Sequence, residues 1–331
     1  MTEEHYPIII AGSGIAGLSA AVYTSRGGND TLVIRGDEPG GQLTLTTEVA
    51  NYPGFPEVVG GQELVQKIED QAKKFDTDFE TGIVDSVNKK DVFEIELTNG
   101  DVYTCDSLIA ASGASARTLG VPGEDELIGY GVSTCATCDG AFFRGEDMII
   151  VGGGDAAFEE AVFLTKFADT VYIVHRREGL RAKEYLQEQV QEKIEKDEIE
   201  MVKNTEVTRI NGTREDGVED VELVTHPEGY PTDRMEDEDT EEWRMDVGAV
   251  FMAIGHTPNT GYLEGTDVEL DDTGYIDING GVGAFETQTD VEGIFAAGDV
   301  FDHHYQQAAT AAGSGVKAAM DANDYLEQRE S

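Results

Sequence analysis

Two of the three cysteines in the chain stand at the spacing of a redox dithiol. In the stretch Cys135-Ala136-Thr137-Cys138-Asp139-Gly140 the thiols can close a small disulfide at a turn that runs into a helix. At a helix N-terminus the orphan N–H groups and the helix dipole favour the thiolate, the reactive species in thiol–disulfide exchange. Half of a zinc site is the alternative, but zinc needs four ligands and Cys105 has no C-x-x-C or H-x-x-H partner. The pattern therefore favours redox chemistry and no metal.

Two glycine-rich segments have the pattern of dinucleotide-binding turns. Gly12-Ser13-Gly14-Ile15-Ala16-Gly17 lies between an apolar strand at 6–11 and a helical run at 18–26. In that context the first glycine permits the turn, the second admits a pyrophosphate, and the third lets the helix pack on the strand. Val151-Gly152-Gly153-Gly154-Asp155-Ala156-Ala157 follows the dithiol closely. A dithiol and an electron carrier are therefore expected side by side.

The end of the next strand, 170–174, indicates which nucleotide the second turn binds. An NAD site has a carboxylate here that accepts the ribose 2′-OH, whereas this chain has His175-Arg176-Arg177 and then Arg181. Potentially cationic groups at this position suit a 2′-phosphate. The sequence therefore predicts NADPH rather than NADH.

The charge of the chain limits its partners. The net charge is -44, from 67 acidic and 23 basic residues, so nucleic acid and anionic membrane surfaces would repel it. An excess of this size favours adaptation to a high-salt cytosol, where self-repulsion is screened. The acidic N-terminus and the lack of a run of about 18 apolar residues predict a cytoplasmic protein without a signal peptide or membrane span.

The remaining pattern organises 331 residues into two domains. The loop at 39–56 carries Gly41, Gln42 and Asn51, whose polar groups could line a flat ring. The apolar strand at 294–297 ends in Gly298-Asp299, which suits a ribityl or pyrophosphate-linked hydroxyl, and the helix at 306–320 could present its first amides to that ring. The acidic run at 235–242 is interpreted as an exposed hairpin tip.

Taken together, these motifs resemble the low-molecular-weight, flavin-dependent thioredoxin reductases nearly from end to end. The Cys-Ala-Thr-Cys-Asp string is the most specific match. The resemblance implies an α/β fold of the pyridine nucleotide-disulfide oxidoreductase type, in which a Rossmann-like NADPH domain is inserted into a Rossmann-like FAD domain. The expected boundaries are 1–117 and 249–331 for the FAD domain and 118–248 for the NADPH domain, and a homodimer is expected.

The resemblance also implies roles for individual residues. Electrons would pass from NADPH through FAD to the disulfide and on to thioredoxin or a similar small redoxin. Cys138 would face the flavin, Cys135 would attack the protein substrate, and Asp139 would manage their protons. The implied FAD-binding residues are Gly12, Ser13, Gly14, Ala16, Gly17, Gly41, Gln42, Asn51, Asp299, Gln307 and Ala308. The implied NADPH-binding residues are Gly152, Gly154, Asp155, Ala156, His175, Arg176, Arg177 and Arg181.

One departure and several alternatives stand beside this interpretation. Gln306 occupies a position where the family commonly has arginine. The dithiol and the nicotinamide site share the inserted domain, so that domain is expected to rotate about the crossings near 117–121 and 246–248.

The main alternative is a reductase of the same fold that uses another donor, such as ferredoxin or a reduced flavin, or that serves another redoxin. A redox sensor without turnover is the other.

Overall fold

The computed structural model describes residues 4–46, 48–278 and 285–330. Its contacts divide the chain into two compact units: unit 1 comprises Met1–Ser115 and Thr257–Ser331, and unit 2 comprises Ala116–His256. The sequence predicts that the second segment of the FAD domain begins at 249, whereas unit 1 resumes at Thr257. The strand Ala249–Met252 pairs within the sheet of unit 2, so the chain returns only after His256.

The elements of the described residues are as follows. The strands are β1 (Glu4–Ala11), β2 (Thr31–Ile34), β3 (Asp78–Glu80), β4 (Val84–Lys89), β5 (Phe93–Leu97), β6 (Val102–Ala110), β7 (Ala114–Ala116), β8 (Val132–Ser133), β9 (Met148–Val151), β10 (Val171–His175), β11 (Ile199–Lys203), β12 (Thr205–Thr213), β13 (Gly217–Thr225), β14 (Glu241–Asp246), β15 (Ala249–Met252), β16 (His256–Pro258) and β17 (Ile294–Ala296). The α-helices are α1 (Ile15–Arg26), α2 (Gly61–Lys73), α3 (Glu124–Leu127), α4 (Ala136–Asp139), α5 (Asp155–Leu164), α6 (Glu184–Ile194) and α7 (Ala308–Glu330). Short 3₁₀ helices lie at Gln42–Leu45, Gly140–Phe143, Pro231–Arg234, Gly261–Leu263 and Gly298–Val300.

Unit 1 is built on a sheet in the order β3-β2-β1-β6-β5-β4, with β17 beside the second half of β6. Strands β1, β2, β3, β6 and β17 pair in parallel, whereas β4, β5 and β6 pair antiparallel. Alternate residues of β1 enter different clusters: Ile8 and Ile10 join one, and Ile9 and Ala11 join the other. Because both faces are covered, β1 reads as a continuous apolar run.

Unit 2 has three layers. Its parallel sheet has the order β11-β10-β9-β15-β8, and the antiparallel strands β12-β13-β14 form a second sheet. Ile150 of β9 packs in a cluster with Phe158 of α5, whereas Ile149 packs in a cluster with Val221 of β13. Helices therefore cover one face of the parallel sheet and the small antiparallel sheet covers the other. Strand β11 is a parallel edge strand of the first of these sheets.

Within the described ranges, no helix combines the length and the apolar character needed to cross a membrane.

Candidate active site and nucleotide-binding turns

The dithiol lies where a loop enters a short helix. Cys135 and Cys138 form a disulfide with a Cα–Cα distance of 5.3 Å, and Cys135 is the N-cap residue of α4. The backbone N–H groups of Cys138 and Asp139 both donate to the carbonyl of Cys135 at 3.1 Å. Both cysteines are half-buried and Thr137 between them is exposed. The disulfide can therefore be reached while its backbone is held by the helical turn.

Ser133 connects the dithiol to the neighbouring acid and was missed in the sequence. Its Oγ donates to Oδ2 of Asp139 at 2.6 Å and accepts the backbone N–H of Cys135 at 3.0 Å. One hydroxyl thus holds the carboxylate next to the first cysteine. The one usable signal was a serine at the end of a strand two residues before the C-x-x-C motif.

Glu160 was also missed, and it lies behind the dithiol helix. Its carboxyl lies near the backbone N–H of Ala136, the first residue of α4, and its Oε2 is buried without a hydrogen-bond partner. Burial raises the pKa of the Glu160 carboxyl to about 7, although the nearby N–H of Ala136 acts in the opposite direction. In the sequence, Glu159-Glu160 resembles an ordinary solvated pair of helix acids.

Cys105 lies away from this chemistry. It is a free, fully buried thiol on β6, and burial raises its pKa well above the usual range. Such a thiol stays protonated and behaves as a small apolar side chain.

The first glycine turn has the shape that a pyrophosphate requires. Gly12 has φ +115°, and a Cβ there would lie 2.3 Å from the carbonyl oxygen of Ala111. A Cβ on Gly17 would lie 2.0 Å from the carbonyl oxygen of Gly12, whereas a Cβ on Gly14 would meet nothing within 4 Å. Two glycines therefore close the turn, and the third faces open space at the N-terminus of α1. This arrangement fits the pyrophosphate of FAD.

The loop after β2 is tied to the same turn. Ser13 Oγ accepts the backbone N–H of Gly40 and donates to the carbonyl of Arg35, both at 3.0 Å. A Cβ on Gly41 would lie 3.2 Å from Cα of Gly14. The side chain of Ser13 thus braces the protein itself, and only its backbone is left to face a cofactor.

Three predicted amide side chains lie in unit 1. Gln42 Nε2 donates to the carbonyl of Ala114, and Asn51 Nδ2 donates to Oε1 of Gln307 at 3.3 Å. The second bond brings together residues 256 positions apart, immediately before Ala308 begins α7. The fold therefore places Asn51 beside the start of the last helix.

Asp299 lies beside the glycine turn at the end of β17. A Cβ on Gly298 would lie 2.7 Å from Cβ of Ala16, so this strand end touches α1. Burial, and then the charge of Asp302, raises the pKa of Asp299 to about 6. A carboxylate that is costly to bury suits a hydrogen bond to a sugar hydroxyl, which would favour its charged form.

The second glycine turn repeats the geometry in unit 2. Gly152 has φ +155°, and a Cβ there would lie 2.4 Å from the carbonyl oxygen of Ala253. A Cβ on Gly154 would meet nothing within 4 Å, and Ala156 in the first turn of α5 is exposed. The N-terminus of α5 is therefore open to a second pyrophosphate.

His175 departs from the prediction of a cationic group for the 2′-phosphate. Its ring packs under the turn, where a Cβ on Gly153 would lie 2.4 Å from its Cε1, and its Nε2 bonds the carbonyl of Gly179 at 3.1 Å. Burial, and then the adjacent arginines, lowers the pKa of His175 below 6.5. The imidazole is thus neutral at pH 7 and supports the turn by packing.

Asp155 also has a structural partner. Its Oδ1 accepts the backbone N–H of Lys183 at 2.8 Å, and its Oδ2 pairs with the Lys183 ammonium at 2.9 Å. The side-chain contact with Lys183 lowers the pKa of Asp155 most, and the backbone N–H of Lys183 lowers it further. The carboxylate anchors the start of α6 to the second glycine turn.

The predicted phosphate-binding positive charge is carried by arginines. Arg176 and Arg181 are exposed and Arg177 is half-buried. Within the described part of the chain, none of the three forms an ion pair with a carboxylate. In a chain with 67 acidic residues, the three arginines therefore keep their charges available to an added anion.

The chain is similar to known proteins along nearly its full length. A family model described as pyridine nucleotide-disulphide oxidoreductase matches residues 6–315. A thioredoxin reductase of Escherichia coli O157:H7 is 43% identical over 330 residues, 98% of each chain. A glucosaminate ammonia-lyase of Pseudomonas fluorescens is 42% identical over 98% of this chain and 97% of its own. The crystal structure of a thioredoxin reductase from Streptococcus pyogenes MGAS5005 superposes with a TM-score of 0.86 at 35% identity, covering 99% of this chain and all of that one.

Proposed function

The chain belongs to the pyridine nucleotide-disulphide oxidoreductases and, within them, to the low-molecular-weight thioredoxin reductase family, and from that premise we propose that it is an NADPH-dependent thioredoxin-disulfide reductase. The observation that carries the proposal is the Cys135–Cys138 disulfide beside Asp139, in the unit that holds the second nucleotide turn. The family is one of flavoprotein oxidoreductases that use FAD and NADPH.

We assign FAD to the turn at Gly12–Gly17 and NADPH to the turn at Gly152–Gly154. When bound, the two cofactors supply the electron pair that reduces the disulfide. The support is the matching geometry: each turn has one glycine that faces open space at a helix N-terminus. Arg35 beside the first turn is paired with Glu69, whereas among the described residues the arginines after β10 form no ion pair with a carboxylate.

The dithiol then performs the exchange. Two electrons and two protons break the Cys135–Cys138 bond and give two thiols. As the thiolate, Cys135 attacks a disulfide sulfur of the partner, and Cys138 resolves the mixed disulfide, so the partner leaves with two thiols and the bond between the cysteines re-forms. Asp139 takes and returns the protons, for which its position is suited because Ser133 holds its carboxylate next to Cys135.

The position of both redox sites within unit 2 supports a rotation of this unit during turnover. The disulfide and the second nucleotide turn each have to reach the flavin bound by unit 1. Because one small site cannot hold both at once, the chain crossings near 116 and 256 act as hinges.

The partner is thioredoxin or a similar small redoxin, and the chain works as a cytoplasmic homodimer, as in the family it belongs to. The net charge of -44 supports adaptation to high salt and argues against nucleic acid and membrane partners. Light scattering in concentrated KCl tests the dimer.

The experiment that tests the function is anaerobic. The FAD-loaded protein is titrated with NADPH or NADH in high salt while the flavin absorbance is followed, and thioredoxin is then added. We expect the flavin absorbance to bleach at a much lower concentration of NADPH than of NADH, and the added thioredoxin then to be reduced. Cys138→Ser should keep the bleaching and lose thioredoxin turnover.

Other outcomes separate the alternatives. A flavin that neither nicotinamide reduces would leave ferredoxin or a reduced flavin as the donor. Bleaching without turnover of any redoxin would favour a sensor. An assay of ammonia release from glucosaminate, run in parallel, tests for the activity that the name of one relative gives. An elimination does not need the disulfide, so Cys138→Ser would leave such an activity intact.

A further inference from the structure

The loop between β13 and β14 reaches the arginines that follow β10. The backbone N–H of Tyr230 donates to the carbonyl of Arg176 at 2.6 Å, and Tyr230 has the left-handed φ of +51°. Gly229 before it has φ +74°, and a Cβ there would lie 2.9 Å from the carbonyl oxygen of Arg176 and 3.1 Å from Cα of Arg177. The loop therefore lies directly against the two arginines.

The side chain of Tyr230 engages both guanidinium groups. The guanidinium carbon of Arg176 lies 5.2 Å from the centre of the tyrosine ring, and Arg177 Nη1 donates to the phenol oxygen at 3.2 Å. A guanidinium that stacks on a ring uses its face and keeps the N–H groups at its edge for other acceptors. The one tyrosine thus restrains two arginines without neutralising either.

The loop that delivers Tyr230 is itself anchored. His226 at its start is 4% exposed, and its Nδ1 accepts the backbone N–H of Glu228 at 3.1 Å. Arg234 Nε donates to the carbonyl of Gly229 at 3.1 Å. Tyr230 is therefore presented by a fixed loop, although the residues that follow at 235–239, within the predicted tip at 235–242, are exposed.

We propose that Tyr230 is a positioning residue for the 2′-phosphate of NADPH, and that the loop at 226–234 makes the enzyme selective for the phosphorylated nucleotide. The inference rests on the proposed use of NADPH. Two long side chains with like charge would otherwise spread over many rotamers, and ordering them would cost binding free energy. Tyr230 orders Arg176 and Arg177 before the nucleotide arrives, so the phosphate meets a prepared pair.

The test measures binding and does not depend on turnover. FAD-loaded full-length protein at one fixed KCl concentration is titrated calorimetrically with adenosine 2′,5′-bisphosphate, and 5′-AMP is measured by displacement. Tyr230→Ala should weaken the bisphosphate about tenfold, and Tyr230→Phe, which keeps the ring and loses the phenol oxygen, about threefold. AMP binding should stay unchanged in both. Met235→Ala, on the exposed part of the loop, is the matched control.

A double-variant cycle shows whether Tyr230 acts through the arginines. In an Arg176→Ala, Arg177→Ala background, Tyr230→Ala should cost no further affinity. The same tenfold loss in that background, an equal loss for AMP, or an unchanged bisphosphate-to-AMP ratio in the Tyr230 variants would overturn the inference. If Tyr230→Ala does not fold, Tyr230→Phe alone decides the ratio. A wild-type protein that does not prefer the bisphosphate would refute the proposed NADPH use instead.

Discussion

Replacing Glu160 by glutamine is expected to stabilise unit 2 at alkaline pH. The carboxyl has a pKa of about 7 in the folded protein and 4.5 as its ordinary value. Between these two values the unfolded chain has lost its proton while the folded chain still holds it, so wild-type stability falls as the pH rises through this window. Above pH 7 both states are ionised, and the folded state carries the full cost of the buried charge.

The size of the effect follows from the same two values. A difference of about 2.5 pH units corresponds to at most about 3 kcal/mol. Glutamine has no charge to bury, and its side-chain carbonyl can still face the backbone N–H of Ala136 in the dithiol helix. Glu160→Gln should match the wild type near pH 4.5 and exceed it by about 3 kcal/mol above pH 7.

Urea unfolding at constant KCl measures this difference. Trp243, the single tryptophan, lies on β14, so its fluorescence reports on unit 2. Glu159→Gln is the matched control, because it removes an exposed carboxylate from the same helix. A stability gain for Glu160→Gln that does not change between pH 5 and pH 8.5, or one that Glu159→Gln reproduces in full, would refute the reasoning.

The first glycine turn, the hydrogen bond from Ser133 to Asp139 and the acidic surface can each be tested separately. Gly17→Ala places a Cβ against the carbonyl of Gly12 and should destabilise unit 1 by about 1–3 kcal/mol, whereas Gly14→Ala should fold normally and lose FAD affinity. Denaturation curves measure the loss of stability and the flavin spectrum measures the bound FAD. Equal losses of stability in the two variants would contradict the turn geometry. Ser133→Ala removes the donor to Asp139 and should slow thioredoxin reduction about tenfold, with a shifted pH–rate profile; an unchanged profile would show that the serine is not needed. The melting temperature should rise as KCl increases from about 0.1 M to about 1 M, where the Debye length falls from about 10 Å to about 3 Å, and a value independent of KCl would argue against salt adaptation.

Much of the architecture could be predicted from the sequence. The predicted fold class is confirmed, and helices begin at both glycine turns and at the C-x-x-C motif. These features depend on local rules, since an apolar run buried on both faces, a glycine turn and a C-x-x-C spacing are each written in a few consecutive residues. The helix at 306–320 was predicted too short, because its buried face continues to Tyr325.

Other features depend on residues far apart in the chain. Strand β6 is one continuous strand because β5 pairs with its first half and β17 with its second. The acidity of Glu160, the neutrality of His175 and the contacts of Tyr230 arise from burial and from partners on other elements.

One physical cause separates the features that the sequence determines from those that depend on the tertiary structure. Backbone conformation and the types of reactive group follow from neighbouring residues, so the sequence by itself determined the two nucleotide turns, the dithiol and the basic cluster. Solvation and orientation follow from what packs against each group. Only the tertiary structure could therefore decide which carboxyl holds a proton, which histidine stays neutral and which tyrosine orders the arginines.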